Sequence, residues 1–218
     1  MVLEICPDAS ITRYPDGRTF GCSGAYAIQT DMQVYYISPD TTSNRSEVLG
    51  VYAGVKLADT IRRERPEFDE FIIYSDSQFA IYGLTKWLSD WIKNSKKGIM
   101  YGSNGKPVKN QELFILIAKY LVDNNLRVQF RHCKGHTAIT NKMSLQKASE
   151  VFEKSNGYWP RPEEVYKISY YNNIVDNTSR EKLQYIDPNV YPKYNYGNLN
   201  NITNKTLLVP PNYKEYIF

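Results

Sequence analysis

The sequence predicts an α/β fold, a mixed sheet flanked by helices, and three observations carry that expectation. Segments of strand and helix periodicity follow one another as strands, helix, strand, helix, helix, strand, helix, the order of a sheet covered by helices. The period changes cleanly along the chain: QELFILIAKYLVDNN is apolar at helical spacing, whereas Leu126, Val128 and Phe130 alternate with Arg127, Gln129 and Arg131. Asp8 and Asp76 stand at the ends of predicted strands, where α/β sheets form their sites.

Each element follows from local chemistry. Residues 1–6 read as a short strand ending at Pro7-Asp8. ITRYPDGRTFGCSG has the Pro-Asp-Gly chemistry of a turn, and Gly24–Ile37, rich in Tyr, Val and Ile, supplies one or two further β segments. A helix capped by Ser43 or Asn44 carries Val48, Val51, Tyr52, Val55, Leu57, Ala58 and Ile61, and Arg65-Pro66 stops it. FIIYSD at 71–76 is a buried strand ending in an acid, and FAIYGLTKWLSDWI returns to helical spacing. Helices are expected at 144–155 and 162–184, separated by the breaker NGYWPRP. Beyond Asp187 the chain is rich in Asn, Tyr and Pro and has no usable period.

Composition excludes several classes of protein. Of the 218 residues, 42% are hydrophobic and 23% charged, which is neither disordered nor fibrous. The longest apolar runs, such as LFILIA, fall far short of a membrane span. MVLEICPD has no basic region followed by an apolar one, so an intracellular, by default cytoplasmic, location is expected. Cys6, Cys22 and Cys133 are an odd, widely spaced set that suits reduced thiols. The net charge of +4 says little by itself, but Ile92 to Asn110 holds Lys93, Lys96, Lys97, Lys106 and Lys109 and no acid.

Asp8 past the first strand, Glu47 in the first turn of a helix and Asp76 at a strand end are three acids that a sheet can bring together. Converging carboxylates repel, and hard oxygen ligands of this kind suit Mg²⁺ or Mn²⁺, two of which about 3.5–4 Å apart can activate a water and stabilise a leaving phosphate oxygen. Spacing alone leaves open the reading of ordinary solvated carboxylates or helix caps.

Four blocks, in order, resemble the type 1 ribonuclease H family. TTSNRSEVLGVYAGV resembles the segment around its helical glutamate, YSDSQFAIYGLTKWLSDW its second-aspartate motif, KPVKNQELF the end of its basic protrusion, and KGHTAIT its histidine loop. The resemblance spans about residues 1–180. It implies a ribonuclease H-like fold with a five-stranded mixed sheet, and an endoribonuclease that cuts the RNA strand of an RNA/DNA hybrid. Two Mg²⁺ ions, or Mn²⁺ in their place, would be held by Asp8, Glu47, Asp76 and a fourth aspartate. It further implies minor-groove contacts from Asn44 and Gln78, a DNA-strand phosphate pocket at Asn110, and a protrusion in which Trp87 and the five lysines meet the hybrid. His136 matches the loop histidine that assists proton transfer and product release. Trp87 and Trp91 lie four apart, so at least one is expected in the core.

Two departures stand out. CPDAS replaces the family's threonine, Asp, Gly and Ser, so Pro7 removes a donor next to Asp8. In the family the last aspartate follows the histidine by about ten residues, but here the matching context is NNIVDNTSREK, which assigns Asp176, with Glu150 as runner-up. Residues of about 140–168 are then an insertion in a catalytic domain of 1–184, and 185–218 is a Tyr/Asn/Pro-rich extension, either surface-hugging or partner-binding. No separate hybrid-binding module is expected ahead of Asp8, and a monomer is expected. HCKGH looks in isolation like half a zinc site, but His132 ends a β alternation and no second ligand pair exists, so His132 reads as strand-end structure. The competing readings are a catalytically impaired hybrid-binding module on the same fold, which the altered CPDAS supports, and a related DNA nuclease or resolvase, which NRSE and KPVKN argue against.

Overall fold

The structure, a computed structural model, describes residues 1–135, 139–190 and 209–218. Five strands, β1 (Val2–Arg13), β2 (Thr19–Ala27), β3 (Met32–Pro39), β4 (Glu70–Ser75) and β5 (Gln129–His132), form one sheet in the order β3-β2-β1-β4-β5. The hairpin strands β1, β2 and β3 pair antiparallel, whereas β4 and β5 join parallel beside β1, making the expected mixed sheet. The helices are α1 (Ser43–Glu64), α2 (Gln78–Tyr82), α3 (Leu88–Lys93), α4 (Gln111–Asp123), α5 (Lys142–Asn156) and α6 (Pro162–Gln184), with a π-helical stretch, Gly83–Trp87, joining α2 to α3. Among the described residues no helix is long and apolar enough to cross a membrane.

The first strand is twice as long as expected and runs through Pro7 and Asp8. Pro7 is tolerated because the parallel ladder with β4 ends at Ile5↔Ile73, so beyond that point β1 needs no donors on that side. The helix cap also differs from expectation: Thr42, not Ser43 or Asn44, caps α1 by accepting the Arg45 N–H at 3.3 Å.

The two sheet faces bury different helices. Leu3, Ile5, Ala25 and Ile73 face α1 and α4, joining Val48, Val51, Val55, Ile61, Phe114 and Leu121 in the main core. On the other face Cys6, Ile72 and Tyr74 meet Phe152 of α5 and Ile168 of α6. There α6 runs along β1, and contacts advance together: Lys167 pairs with Glu4 at 2.6 Å, Ile168 packs on Cys6, Asn172 donates to Asp8, and Ser10 donates to Asp176. Alternate strand residues share a face and every fourth helix residue shares a stripe, so Cys6, Asp8 and Ser10 meet successive turns of α6 at Ile168, Asn172 and Asp176.

Residues 162–168, expected within an insertion, form the first turns of α6, continuous with the helix that carries Asp176. The extension also returns to the sheet. Val128 N–H donates to Tyr216 O at 2.9 Å, Phe218 N–H to Val128 O at 3.1 Å and Phe130 N–H to Phe218 O at 2.7 Å, so the last residues lie parallel along the outer edge of β5. Tyr213 and Ile217 bury their side chains in the main core.

Candidate active site

Four acids from four elements lie close enough for their charges to interact. Asp8, on the α6 side of β1, is buried; its Oδ1 accepts the Ala9 N–H at 2.7 Å and its Oδ2 the Asn172 amide at 3.3 Å. Glu47 stands one turn into α1 and accepts the Ser77 hydroxyl at 2.6 Å. That helix reaches the strand closely, since a Cβ on Gly50 would lie 3.0 Å from the Asp8 carbonyl oxygen. Asp76 follows β4 directly and leads into α2, whose cap Ser77 also accepts the Ala80 N–H at 3.2 Å. Asp176, buried on α6, accepts from Ser10 Oγ at 2.9 Å and Arg180 Nε at 2.8 Å.

Electrostatics mark Asp8 as the pressure point. Burial first, then the Asp76 charge, push its carboxyl up to about 8, with Asp176 and Glu47 adding to the rise and the Ala9 N–H opposing it. Burial likewise pushes the Cys6 and Cys133 thiols up, and both are free cysteines, so neither is a thiolate near neutrality. The donor set is entirely carboxylate oxygen, the chemistry of a hard divalent ion, and a carboxyl that retains its proton to neutral pH marks a place where positive charge is favoured. In the arrangement seen, the Asp8, Glu47 and Asp176 carboxylates are turned to protein donors, and no three His, Cys, Asp or Glu side chains among the described residues are gathered tightly enough to hold an ion.

The remaining predicted residues divide. Asn44 and Gln78 are exposed at the helix starts that carry Glu47 and follow Asp76. Asn110, in the left-handed conformation at φ 58°, accepts from Arg45 at 3.2 Å, and the same guanidinium pairs with Glu112. Trp87 is exposed, its ring 5.8 Å from both Tyr82 and Trp91, and Trp91 is the core member of the pair, against Phe114. All five lysines are exposed; Lys93 stands 3.6 Å from Asp90, and Lys96, Lys97, Lys106 and Lys109 belong to a loop folded by the bridges Lys96↔Ile99 and Tyr101↔Pro107. Glu150 lies on the exposed face of α5, accepting from Gln146 at 3.0 Å, away from the acids. His136 lies outside the described residues.

Sequence reasoning missed the side chains that orient the acids: Ser10 on Asp176, Ser77 on Glu47 and the amide of Asn172 on Asp8. A signal existed for Ser10, which shares parity with Asp8, and for Asn172, one turn before Asp176. The direction of Ser77 toward Glu47 had none, because it depends on how α1 crosses the sheet.

A family model described as RNase H matches residues 3–153. The chain is 34% identical to ribonuclease HI of Pasteurella multocida over 166 residues, covering 72% of this chain and 97% of that protein. It is 31% identical to ribonuclease H of Actinobacillus succinogenes over 123 residues, or 54% of this chain and 71% of that one. Among solved structures it is similar to LC9-RNase H1, described as a type 1 RNase H with the type 2 active-site motif, at 18% identity and a TM-score of 0.44 over 75% of this chain and 79% of that chain. A foamy viral protease-reverse transcriptase in complex with an RNA/DNA hybrid matches at 16% identity and a TM-score of 0.44 over 70% of this chain and 19% of that chain.

Proposed function

The chain belongs to the RNase H family, and from that premise we propose that it hydrolyses the RNA strand of RNA/DNA hybrids, endonucleolytically, with two divalent ions. The observation that carries this reading is the convergence of Asp8, Glu47, Asp76 and Asp176 from β1, α1, the end of β4 and α6 around a carboxyl pushed up to about 8. These four side chains would be the ligands, for Mg²⁺ or for Mn²⁺ in its place, with Asp8, Glu47 and Asp176 turning from their present donors. Bound there, the ions supply an activated water and neutralise the leaving oxygen of the phosphodiester.

The chain's own residues do the rest. Asp8 gives up its proton as it takes up its role, while Ser10, Ser77, Asn172 and Arg180 hold the neighbouring carboxylates in place. Asn44 and Gln78, exposed beside Glu47 and Asp76, meet the minor groove, where the 2′-hydroxyls distinguish RNA from DNA. Asn110, with Arg45 beside it, receives a phosphate of the DNA strand. Trp87 and the lysines at 93, 96, 97, 106 and 109 line the path of the duplex and give binding its salt dependence. His136 assists proton transfer and product release. In this reading residues 1–184 are the catalytic unit, acting as a monomer.

The test is cleavage of a labelled RNA/DNA hybrid in Mg²⁺ or Mn²⁺ by the parent protein and by Asp76→Asn. RNA cut by the parent and not by the variant is expected. Tight binding without cleavage in either ion would instead make the chain a hybrid-binding module.

A further inference from the structure

The last turn of α5 touches the site from behind, through a residue that the proposed mechanism does not use. His132, the final residue of β5, is 3% exposed, and its ring bridges two elements: Nδ1 is 3.0 Å from Ser155 Oγ of α5, and Nε2 is 3.1 Å from the main-chain oxygen of Asp76. The partners fix the protons. A main-chain carbonyl only accepts, so Nε2 carries hydrogen and donates to Asp76. With the ring hydrogen on Nε2, the neutral imidazole leaves Nδ1 a bare acceptor, which takes the Ser155 hydroxyl proton. Ser155 Oγ, 2.7 Å from Tyr82 OH, then accepts from the phenol. The chain of donors runs Tyr82 to Ser155 to His132 to Asp76.

The main chain is gripped as well. Asn156 Oδ1 accepts the His132 N–H at 3.1 Å while its amide donates to His132 O at 2.8 Å, so α5 completes the outer edge of β5 at this residue. Position explains the need for the ring. The β4–β5 ladder ends at Ser75↔His132, and one residue past it the imidazole donates to the Asp76 carbonyl, holding the main chain where the strand gives way to the turn into α2.

We propose that His132, clamped by Ser155 and Asn156, is a positioning residue that fixes the main chain of Asp76, and that this is the task of α5. The proposal rests on Asp76 being a ligand. It gives the segment between His136 and α6 a role at the site without contact with substrate.

The test uses the full chain with His132→Phe, which fills the space without the bond, His132→Gln, whose amide can donate to the same carbonyl, and Ser155→Ala. Mn²⁺ binding by calorimetry, hybrid cleavage, and the imidazole ¹⁵N shifts of the metal-free protein are measured; the chain has two histidines, and His136→Ala assigns the signals. Expected are a neutral Nε2–H tautomer in the parent, Mn²⁺ affinity and kcat about 10–100-fold lower in His132→Phe with KM for the hybrid unchanged, and recovery in His132→Gln. Ser155→Ala shifts the tautomer balance toward Nδ1–H. An Nδ1–H tautomer in the parent, or a folded His132→Phe with parental Mn²⁺ affinity, overturns the proposal. If His132→Phe does not fold, parental Mn²⁺ affinity in Ser155→Ala overturns it as well. A parent that shows the tautomer and binds Mn²⁺ but never cuts hybrid would sink the nuclease reading and leave the clamp standing.

Discussion

Gly135 is constrained by a neighbour rather than by its own backbone. A Cβ there would stand 1.7 Å from Asp76 Oδ2 and 2.7 Å from Asp76 Cβ, so Gly135→Ala must displace the whole Asp76 side chain rather than only turn its carboxylate. Hybrid cleavage should fall at least tenfold while the circular-dichroism melting curve stays close to the parent's; an active Ala variant would show that the carboxylate adapts freely. Asp8 makes a prediction in pH. Its folded carboxyl titrates near 8 against 3.8 for the free group, so the folded state keeps a proton that the unfolded chain loses, and metal-free stability falls as pH rises to about 8. His132, whose folded value is lowered from 6.5, has the opposite slope below that pH, so the Asp8 effect is cleanest between 6.5 and 8. Urea unfolding in EDTA should show the decline in the parent and not in Asp8→Asn, and added Mg²⁺ should offset it. At this scale the acids were legible, because strand ends and a helical motif announce them. Their partners were not, since a hydroxyl's direction is set by elements distant in sequence: Ser77 reaches Glu47 across 30 positions.

Among the elements, α6 carries the proposed fourth acid. Asp176→Asn should abolish cleavage of the labelled hybrid and Glu150→Gln should leave it near the parent rate, because Glu150 sits on the exposed face of α5. The lysine loop offers a separate reading. Replacing Lys93, Lys96, Lys97, Lys106 and Lys109 should weaken hybrid binding and flatten its salt dependence, each lost phosphate contact taking roughly 0.9 from the slope of log K against log salt on a duplex. An unchanged slope would remove that loop from the substrate path. Helices were readable from their periods, as QELFILIAKYLVDNN and the 162–184 segment illustrate. The first strand was misread at Pro7, because a missing donor looks fatal until one knows that the β4 ladder has already ended.

For the whole molecule, the outer edge of β5 is closed by the chain's own last residues. Ile217→Ala should lower stability by about 2–3 kcal/mol in urea unfolding, the cost of emptying a mostly buried site, and leave the acids undisturbed. Nothing in TLLVPPNYKEYIF alternates clearly enough to announce this return, because so short a segment is ordered by an existing edge rather than by its own pattern. The contact between α6 and β1 bears on how such a protein tolerates change. Four helix residues advance about 6 Å and two strand residues about 6.6–6.8 Å, so the two scales nearly coincide. Intermediate offsets would rotate Asp176 off the buried stripe, and a full step would carry it a whole strand pair from Asp8. The acid's address is therefore digital: length can be added or removed ahead of α6 without blurring it, and the number of residues between histidine and aspartate carries no information about the distance between them.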